Sequence, residues 1–355
     1  MIIHSKVKDY RVEMVKDIWS GNPEFSGMSK INRPFFFIDG NLFKFYGPQL
    51  KELVGSHFVL KIDADERNKE YIKLGDYYRA LIEAGFTRND SLVTLGGGIV
   101  QDISGFIAST LYRGIKWVYV PTTLLAQADS CIGSKTSINF GEAKNLVGTF
   151  YPPDVILVDT ALTKTLPAGD FNSGVGEIIK FHLLSDADGY QRLKDFLASA
   201  LLSQGPKLKA IIDSTLQIKR SYFERDEFDT GVRNLLNYGH CFGHALESAS
   251  NFSIPHGIAV IVGMDFVNHV SVARGLMSVG LAGELEGIFK PFYPKIDFNQ
   301  VTPEKILMYL KKDKKRVGPG LTMILGKILG DFAKYDDITE EEVRSAWREW
   351  HARHC

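Results

Sequence analysis

"LVTLGGGIVQDISGFIAST" (residues 92–110) passes from an apolar, β-rich run through three consecutive glycines into a segment with helical patterning. A strand that turns on glycine into a helix presents free backbone N–H groups and the positive end of a helix dipole, which together suit a pyrophosphate. On the stretch alone two readings stand: Gly96, Gly97 and Gly98 let a nucleotide phosphate approach, or they only make a tight strand–helix turn. The stretch does not fit the common fingerprints: Gln101 stands where a G-x-G-x-x-G motif has its last glycine, and no Walker lysine follows.

The flanking sequence points to an α/β class. Short β-rich runs, "PFFFID" (34–39), "HFVLKID" (57–63), "SLVTL" (91–95), "KWVYV" (116–120) and "DVILVD" (154–159), alternate with amphipathic stretches such as 70–85. That alternation implies a mostly parallel sheet with crossover helices. Beyond residue 167 the patterns become long and helical, with only "LTMILGKIL" (321–329) reading as a hairpin. We expect an α/β nucleotide-binding domain over residues 1–167 and a mainly α-helical metal- and substrate-binding domain over 168–355. Thr339 and Glu342 form a capping box ahead of a final helix carrying Val343, Trp347 and Trp350.

Composition narrows the partners. Lys plus Arg equal Asp plus Glu at 42 each, so no global field favours nucleic acid or a membrane surface, and an anionic ligand must be held by local groups. The N-terminus is charged throughout, and no apolar run is expected to reach the roughly 18 residues that span a bilayer. Cys131, Cys241 and Cys355 are odd in number and far apart, as in reduced proteins. A cytoplasmic enzyme acting on a small molecule is expected.

Candidate chemistry gathers in three places. Thr122 and Thr123 follow a strand and can reach a nucleotide, Asp39 ends a strand and can accept from a ribose hydroxyl, and Glu66 and Lys69 lie in another loop after a strand. In "NYGHCFGHALE" (237–247), His240 and His244 share one helical face, and "SIPHGIAV" (253–260) adds His256. Imidazoles in such a group suit zinc, which takes three protein ligands and keeps one open position when catalytic. Glu177 in "GVGEIIK" (174–180) is the best carboxylate to join them. The third group is basic: Arg113, Lys135, Lys144 with Asn145, Lys180, Lys219, Arg233 and "KKDKK" (311–315). "GSKTSINFGEAKN" (133–145) has the small and polar residues of an anion-binding loop, with two lysines to grip a phosphate.

The ordered runs "LGGGIVQDISGFIASTLYRG", "VPTTLLAQADS", "SKTSIN", "KNLVGTFYPP", "LPAGDFNSGVGEIIK", "RNLLNYGHCFGHALE" and "PHGIAV" resemble the motifs of the 3-dehydroquinate synthase family of sugar phosphate cyclases. The resemblance is close over residues 91–182 and 219–264. It implies NAD and Zn2+ (or Co2+) as cofactors. Hydride would pass to NAD, phosphate would leave, hydride would return, and an aldol step would close the carbocycle. It also implies a homodimer in which Arg113 reaches the substrate phosphate bound by the partner.

The same resemblance implies Glu177, His240 and His256 as metal ligands, with His244 free to contact substrate. Lys135, Lys144, Asn145 and Lys180 would surround the substrate, Lys219, Arg233 and Asn237 would hold its carboxylate and hydroxyl end, and Asp129 would lie near the metal-bound hydroxyls. Lys314 or Lys315 would complete the carboxylate site. Asp102 and Thr165 join the expected NAD set of Asp39, Glu66, Lys69, the three glycines, Thr122, Thr123, Lys135 and Lys144.

Three positions depart from the family pattern: Ser134 and Ser137 flank the phosphate loop where small residues are usual, and Ile258 replaces a carboxylate after His256-Gly257. Phe181-His182 after Lys180 is also atypical. The expected reaction is the shikimate-pathway conversion of 3-deoxy-D-arabino-heptulosonate 7-phosphate to 3-dehydroquinate. A cyclase of a secondary pathway, a metal-dependent polyol dehydrogenase and a catalytically silent homologue are the alternatives.

Overall fold

The computed structural model describes residues 1–19, 31–141, 143–199, 205–294, 298, 301–311 and 320–354. The strands are β1 (Ile2–Ile3), β2 (Tyr10–Val15), β3 (Pro34–Asp39), β4 (Val59–Ile62), β5 (Ser91–Gly96), β6 (Lys116–Pro121), β7 (Ile138–Phe140), β8 (Ala143–Val147), β9 (Val155–Asp159), β10 (Leu321–Ile328) and β11 (Asp331–Ile338). The first helices are α1 (Leu42–Val54), α2 (Leu74–Glu83), α3 (Gly98–Thr110), α4 (Ala168–Leu183), α5 (Ala187–Leu197) and α6 (Pro206–Arg225). They are followed by α7 (His240–Ala249), α8 (His256–Ala273), α9 (Val279–Phe289), α10 (Pro303–Lys311) and α11 (Glu340–His354).

The chain forms two compact units, Met1–Leu166 with Ser203–Glu227, and Pro167–Leu202 with Phe228–Cys355. This differs from the single boundary expected at residue 167. α6 returns to the first unit, where it buries Leu208, Ile211, Ile212 and Leu216 and packs on the Asp129 segment.

In the first unit the sheet order is β1-β2-β9-β6-β5-β3-β4. All neighbours from β2 to β4 are parallel, and only β1 is antiparallel. The central strands read as unbroken apolar runs because both faces are covered: β5 and β9 are buried at every residue. From β3 the chain goes outward to β4, then returns to lay β5 on the other side of β3. The carboxyl ends of β3 and β5 thus flank a topological switch point, where open α/β sheets bind ligands.

The second unit is built around α8, whose residues Gly257 to Ser271 are all buried. This helix corrects the expectation that no apolar stretch reaches membrane-spanning length: it has 18 residues at mean hydropathy 1.3, with 83% of that window buried inside the fold. The stretch read as a hairpin at 321–329 supplies only its first strand, β10, which pairs antiparallel with β11. The capping box is present: Thr339 Oγ1 accepts from the Glu342 N–H, and the Thr339 N–H donates back to the Glu342 carboxylate.

Candidate functional site

The glycine turn divides into packing and opening. A Cβ on Gly96 would lie 2.6 Å from Val100 Cβ, and one on Gly97 would lie 2.9 Å from Thr123 Cγ2, whereas one on Gly98 would meet nothing within 4 Å. Two of the three glycines are therefore required by the chain's own side chains, and Gly98 alone faces open space at the start of α3. That narrows the expectation that all three serve a phosphate. An open, Cβ-free helix start at the switch point fits the pyrophosphate of NAD.

Around this turn Asp39 ends β3 and is buried. Burial raises its pKa, against the hydrogen bond that its Oδ1 accepts from the Asn41 N–H. Thr122 is buried, and Thr123 Oγ1 accepts from the Ala126 N–H at 3.1 Å. Lys69 Nζ donates at 2.6 Å to Asn145 Oδ1 and lies 2.6 Å from Asp102 Oδ2. Burial pushes the Asp102 carboxyl up to about 6, although Lys69 acts against it. Asn139 donates to Glu66 Oε1 and accepts from the Asn145 N–H, so the 66–69 and 139–145 segments form one network. Thr165 Oγ1 lies 3.5 Å from the Tyr46 hydroxyl.

Gln101, the residue that breaks the dinucleotide fingerprint, clamps α3 to the segment carrying Asp129. Its Nε2 donates to Ser130 O at 2.7 Å, and its Oε1 accepts from Ser130 Oγ at 2.6 Å. Asp129 lies in a π-helical turn, Ala126–Ser130, a feature frequent at functional sites. Its carboxylate and its carbonyl both accept from Lys219 Nζ at 2.6 Å.

Lys135 and Lys144 are exposed, while Ser134 is buried at a left-handed φ of 61°. The Ser134 hydroxyl turns inward and donates to Glu227 Oε1 at 3.3 Å. Ser137 is half-buried. Arg113 is exposed, and it and Tyr112 both have positive φ.

The second unit holds the histidines. Glu177 on α4 is fully buried, and its Oε1 lies 3.5 Å from both His240 Nε2 and His256 Nε2. Lys180, one turn on, forms an ion pair with Oε2. Otherwise neither oxygen accepts a well-formed hydrogen bond among the described residues. Lys180 balances the charge through Oε2, while Oε1 faces the two imidazole nitrogens and forms with them a zinc-type donor set. The ring donors of His240, His244 and His256 fall within 4.8 Å of one another, but His244 is exposed.

Glycines allow this convergence. A Cβ on Gly176 would lie 2.3 Å from Gly257 O, and one on Gly257 would lie 1.8 Å from Ser173 O. Each glycine adjoins a presumed ligand, so α4 and α8 cross in backbone contact where Glu177 and His256 must meet.

Burial would raise the Glu177 pKa, but Lys180 and then His256 outweigh it and hold it at about 2. Burial, with Lys180 adding to it, drives His240 well below its ordinary value. Burial also acts to lower His256, yet the hydrogen bonds to Glu177 and Glu247 overcome it and raise it to about 10.

Glu247 is the functional residue that the sequence reading missed. Its Oε2 lies 3.1 Å from His256 Nδ1, the position of the carboxylate that orients a metal-ligating histidine. Ile258 is buried, and the orienting carboxylate comes from α7 instead. Arg233 is buried, and Asn237 Nδ2 donates to Asn234 O at 2.9 Å. Lys314 and Lys315 lie outside the described residues.

Comparison with known proteins gives a consistent result. The family models "3-dehydroquinate synthase N-terminal" and "3-dehydroquinate synthase C-terminal" match residues 59–173 and 174–316. The chain is 36% identical over 283 residues to 3-dehydroquinate synthase of Clostridium perfringens (strain 13 / Type A), covering 79% of this chain and 80% of that protein. It is 33% identical over 345 residues to the enzyme of the same name from Clostridium botulinum (strain Alaska E43 / Type E3), covering 95% and 98%. Among solved structures, 2-epi-5-epi-valiolone synthase of Streptomyces hygroscopicus subsp. jinggangensis 5008, with NAD+ and Zn2+ bound, superposes with a TM-score of 0.88 at 26% identity over 99% of each chain.

Proposed function

The chain belongs to the 3-dehydroquinate synthase family, and on that premise we infer that it converts 3-deoxy-D-arabino-heptulosonate 7-phosphate to 3-dehydroquinate with loss of phosphate, using NAD and a divalent metal. The observation that carries the assignment of residues is the buried Glu177 carboxylate between two imidazole Nε2 atoms. A metal held there would polarise a substrate hydroxyl, and NAD would accept a hydride and return it.

The protein's own part is to bind, orient and balance charge. Glu177, His240 and His256 hold the metal, and the exposed His244 is left to contact substrate. Glu247 fixes the ring of His256, and Lys180 offsets the Glu177 charge; the proton that His256 holds in the absence of a metal would be displaced when one binds. Arg233 and Asn237 receive the polar end of the substrate.

In the first unit Gly98 N–H and the start of α3 take the pyrophosphate, and Asp39 takes a ribose hydroxyl. Thr122, Thr123, Glu66 with Lys69 and Asp102, and Thr165 complete the NAD set. Lys135, Lys144 and Asn145 grip the substrate phosphate, and the positive charge of the two lysines makes the phosphate a better leaving group. Lys219 aims the Asp129 carboxylate.

A cytoplasmic homodimer belongs to the same reading. Cys131 and Cys241 are buried, and the odd, widely spaced cysteines fit a reducing compartment. On the first unit an apolar recess of about 780 Å³ is lined by Tyr71, Ile72, Leu74, Tyr78, Phe106 and Phe140, and Ile72 is 85% exposed. A second copy of the chain would cover such a surface. The neighbouring left-handed pair Tyr112-Arg113 presents the Arg113 side chain outward.

The test is one incubation of the purified protein with NAD, zinc and 3-deoxy-D-arabino-heptulosonate 7-phosphate, following released phosphate and identifying the carbocycle by mass spectrometry. Equal amounts of phosphate and 3-dehydroquinate without net NADH are expected. Binding of zinc and NAD with no phosphate released would refute the substrate.

A further inference from the structure

A second cluster of metal-ligating side chains lies in the second unit, separate from Glu177 and its histidines. Asp265 and His269 are one turn apart on the buried helix α8. His354 comes from the last turn of α11 and Glu286 from α9. The ligand atoms of Asp265, His269 and His354 all fall within 4.8 Å of one another. His354 Nε2 lies 3.4 Å from Asp265 Oδ2 and 3.8 Å from Glu286 Oε1.

The state of His354 is what needs an explanation. Its side chain is only 2% exposed, and neither ring nitrogen has a hydrogen-bond partner among the described residues. A buried polar group left in that state destabilises the fold. Two carboxylates gathered around His354 Nε2 present the electron-pair donors that a bound cation would use. The separations of 3.4 and 3.8 Å are longer than the roughly 2.7–3.2 Å of an N–H···O hydrogen bond. They approach the edge of about 3.3 Å between ligands in a tetrahedral site with bonds near 2.0–2.1 Å.

We propose that Asp265, His269 and His354 form a second divalent-cation site, of zinc type, that fastens α8 and α11 together. Two imidazoles and a carboxylate make a zinc-type donor set, and the Glu286 carboxylate, 3.8 Å from His354 Nε2, adds negative charge beside it. The surroundings fit a structural site. Asp265 Oδ2 already accepts from the Tyr293 hydroxyl and from Trp350 Nε1 at 2.6 Å, which fixes the carboxylate while leaving about two of its roughly four acceptor positions. The Tyr293 and Trp350 rings lie 5.0 and 4.8 Å from the His354 ring and help keep water out.

The test is zinc content by mass spectrometry on the full chain after loading and dialysis, in four proteins: wild type, the double variant His240→Ala/His256→Ala, His354→Gln and His269→Gln. About two equivalents are expected in wild type and about one in each of the others, as two independent sites require. Chelation should also lower the thermal midpoint of the His240→Ala/His256→Ala protein, whose remaining ion would be the structural one, and leave that of a triple variant adding His354→Gln unchanged. Circular dichroism checks that each variant is folded, and either single histidine variant suffices if the other is not. One equivalent in wild type, lost entirely in His240→Ala/His256→Ala, would overturn the proposal. So would two equivalents unaffected by both His354→Gln and His269→Gln.

Discussion

Replacing Glu247 by alanine isolates a contribution that no motif announces. Its carboxylate lies 3.1 Å from His256 Nδ1, so it fixes both the tautomer and the plane of a ring whose Nε2 points at Glu177. The Glu247 side chain is only 15% exposed, so solvent screens the interaction little. Loss of such an orienting carboxylate weakens metal binding by about 10- to 100-fold, or roughly 1.4–2.7 kcal/mol. Glutamine keeps a carbonyl oxygen in place of the carboxylate. A neutral hydrogen bond is worth about half a charge-assisted one, so Glu247→Gln should lose about 3- to 10-fold. The order wild type, Gln, Ala is therefore as diagnostic as the size of the effect. Zinc affinity from chelator competition at fixed pH reads it directly. Thermal midpoints under saturating zinc show whether the fold is intact. Both variants binding zinc within twofold of wild type would refute the reasoning and make the Glu247–His256 contact a packing detail.

Lys135→Ala is expected to raise the KM for the phosphate substrate by about tenfold or more, as loss of a charge-assisted contact does, while NAD affinity by calorimetry stays unchanged; equal losses for both would remove Lys135 from the phosphate loop. Gly96→Ala should destabilise the protein by about 1–3 kcal/mol because its methyl overlaps Val100, whereas Gly98→Ala should fold normally and bind NAD weakly, and denaturant titration with NAD binding separates the two. Burial, against the hydrogen bond to Ile178 O, lowers the His182 pKa to about 4. The unfolded chain therefore binds the extra proton between about pH 6.5 and 4, so this stability is complete above pH 6.5 and about 3 kcal/mol is lost as pH falls through 4. His182→Gln should flatten the urea midpoint over that window, and an unchanged slope would assign it to other groups. Finally, mixing subunits of the inactive variants Arg113→Ala and His256→Ala should restore roughly a quarter of wild-type activity if Arg113 serves the partner in a homodimer; no recovery in verified mixed dimers would refute that role.

What was legible in the sequence follows from burial. Strands covered on both faces are uniform apolar runs, so β3, β5, β6 and β9 coincide closely with the quoted stretches. β2 was not anticipated because Arg11 and Glu13 interrupt its buried Tyr10 and Val12, a pattern that reads as charged loop. α6 was placed with the helical half because its periodicity says only that one face is buried. Which unit covers that face is decided by the Asp129–Lys219 pair, 90 residues apart. The proposed metal set stood out in the sequence as residue types at helical spacing, and the structure brings Glu177, His240 and His256 together. Glu247 did not stand out, because its partnership with His256 arises from the packing of α7 on α8. Gly96 and Gly97 were legible as glycines but not for their reason: adjacent glycines look alike in sequence, and only the packing separates the two that avoid Val100 and Thr123 from the one that opens a site.

Two of the departures from the family pattern, Ser134 and Ile258, stand where the structure supplies a contact that keeps the local geometry. Serine at position 134 sits at φ 61°, a left-handed conformation that costs a residue with a Cβ about 1–2 kcal/mol. Here the Ser134 hydroxyl is buried and donates to Glu227, and a hydrogen bond to a charged group returns roughly 1.5–3 kcal/mol. Glu227 is held in turn by the Ser5 hydroxyl and the Lys6 N–H, at 2.7 and 2.6 Å. The loop therefore keeps the backbone path that a glycine would give it, and the added hydroxyl points away from the exposed Lys135. Ile258 follows the same logic, since the carboxylate absent there is supplied by Glu247 from the neighbouring helix. Two substitutions that look like losses in the sequence thus leave in place the loop that carries Lys135 and the orientation of the His256 ring, the two parts on which the proposed phosphate and metal sites depend.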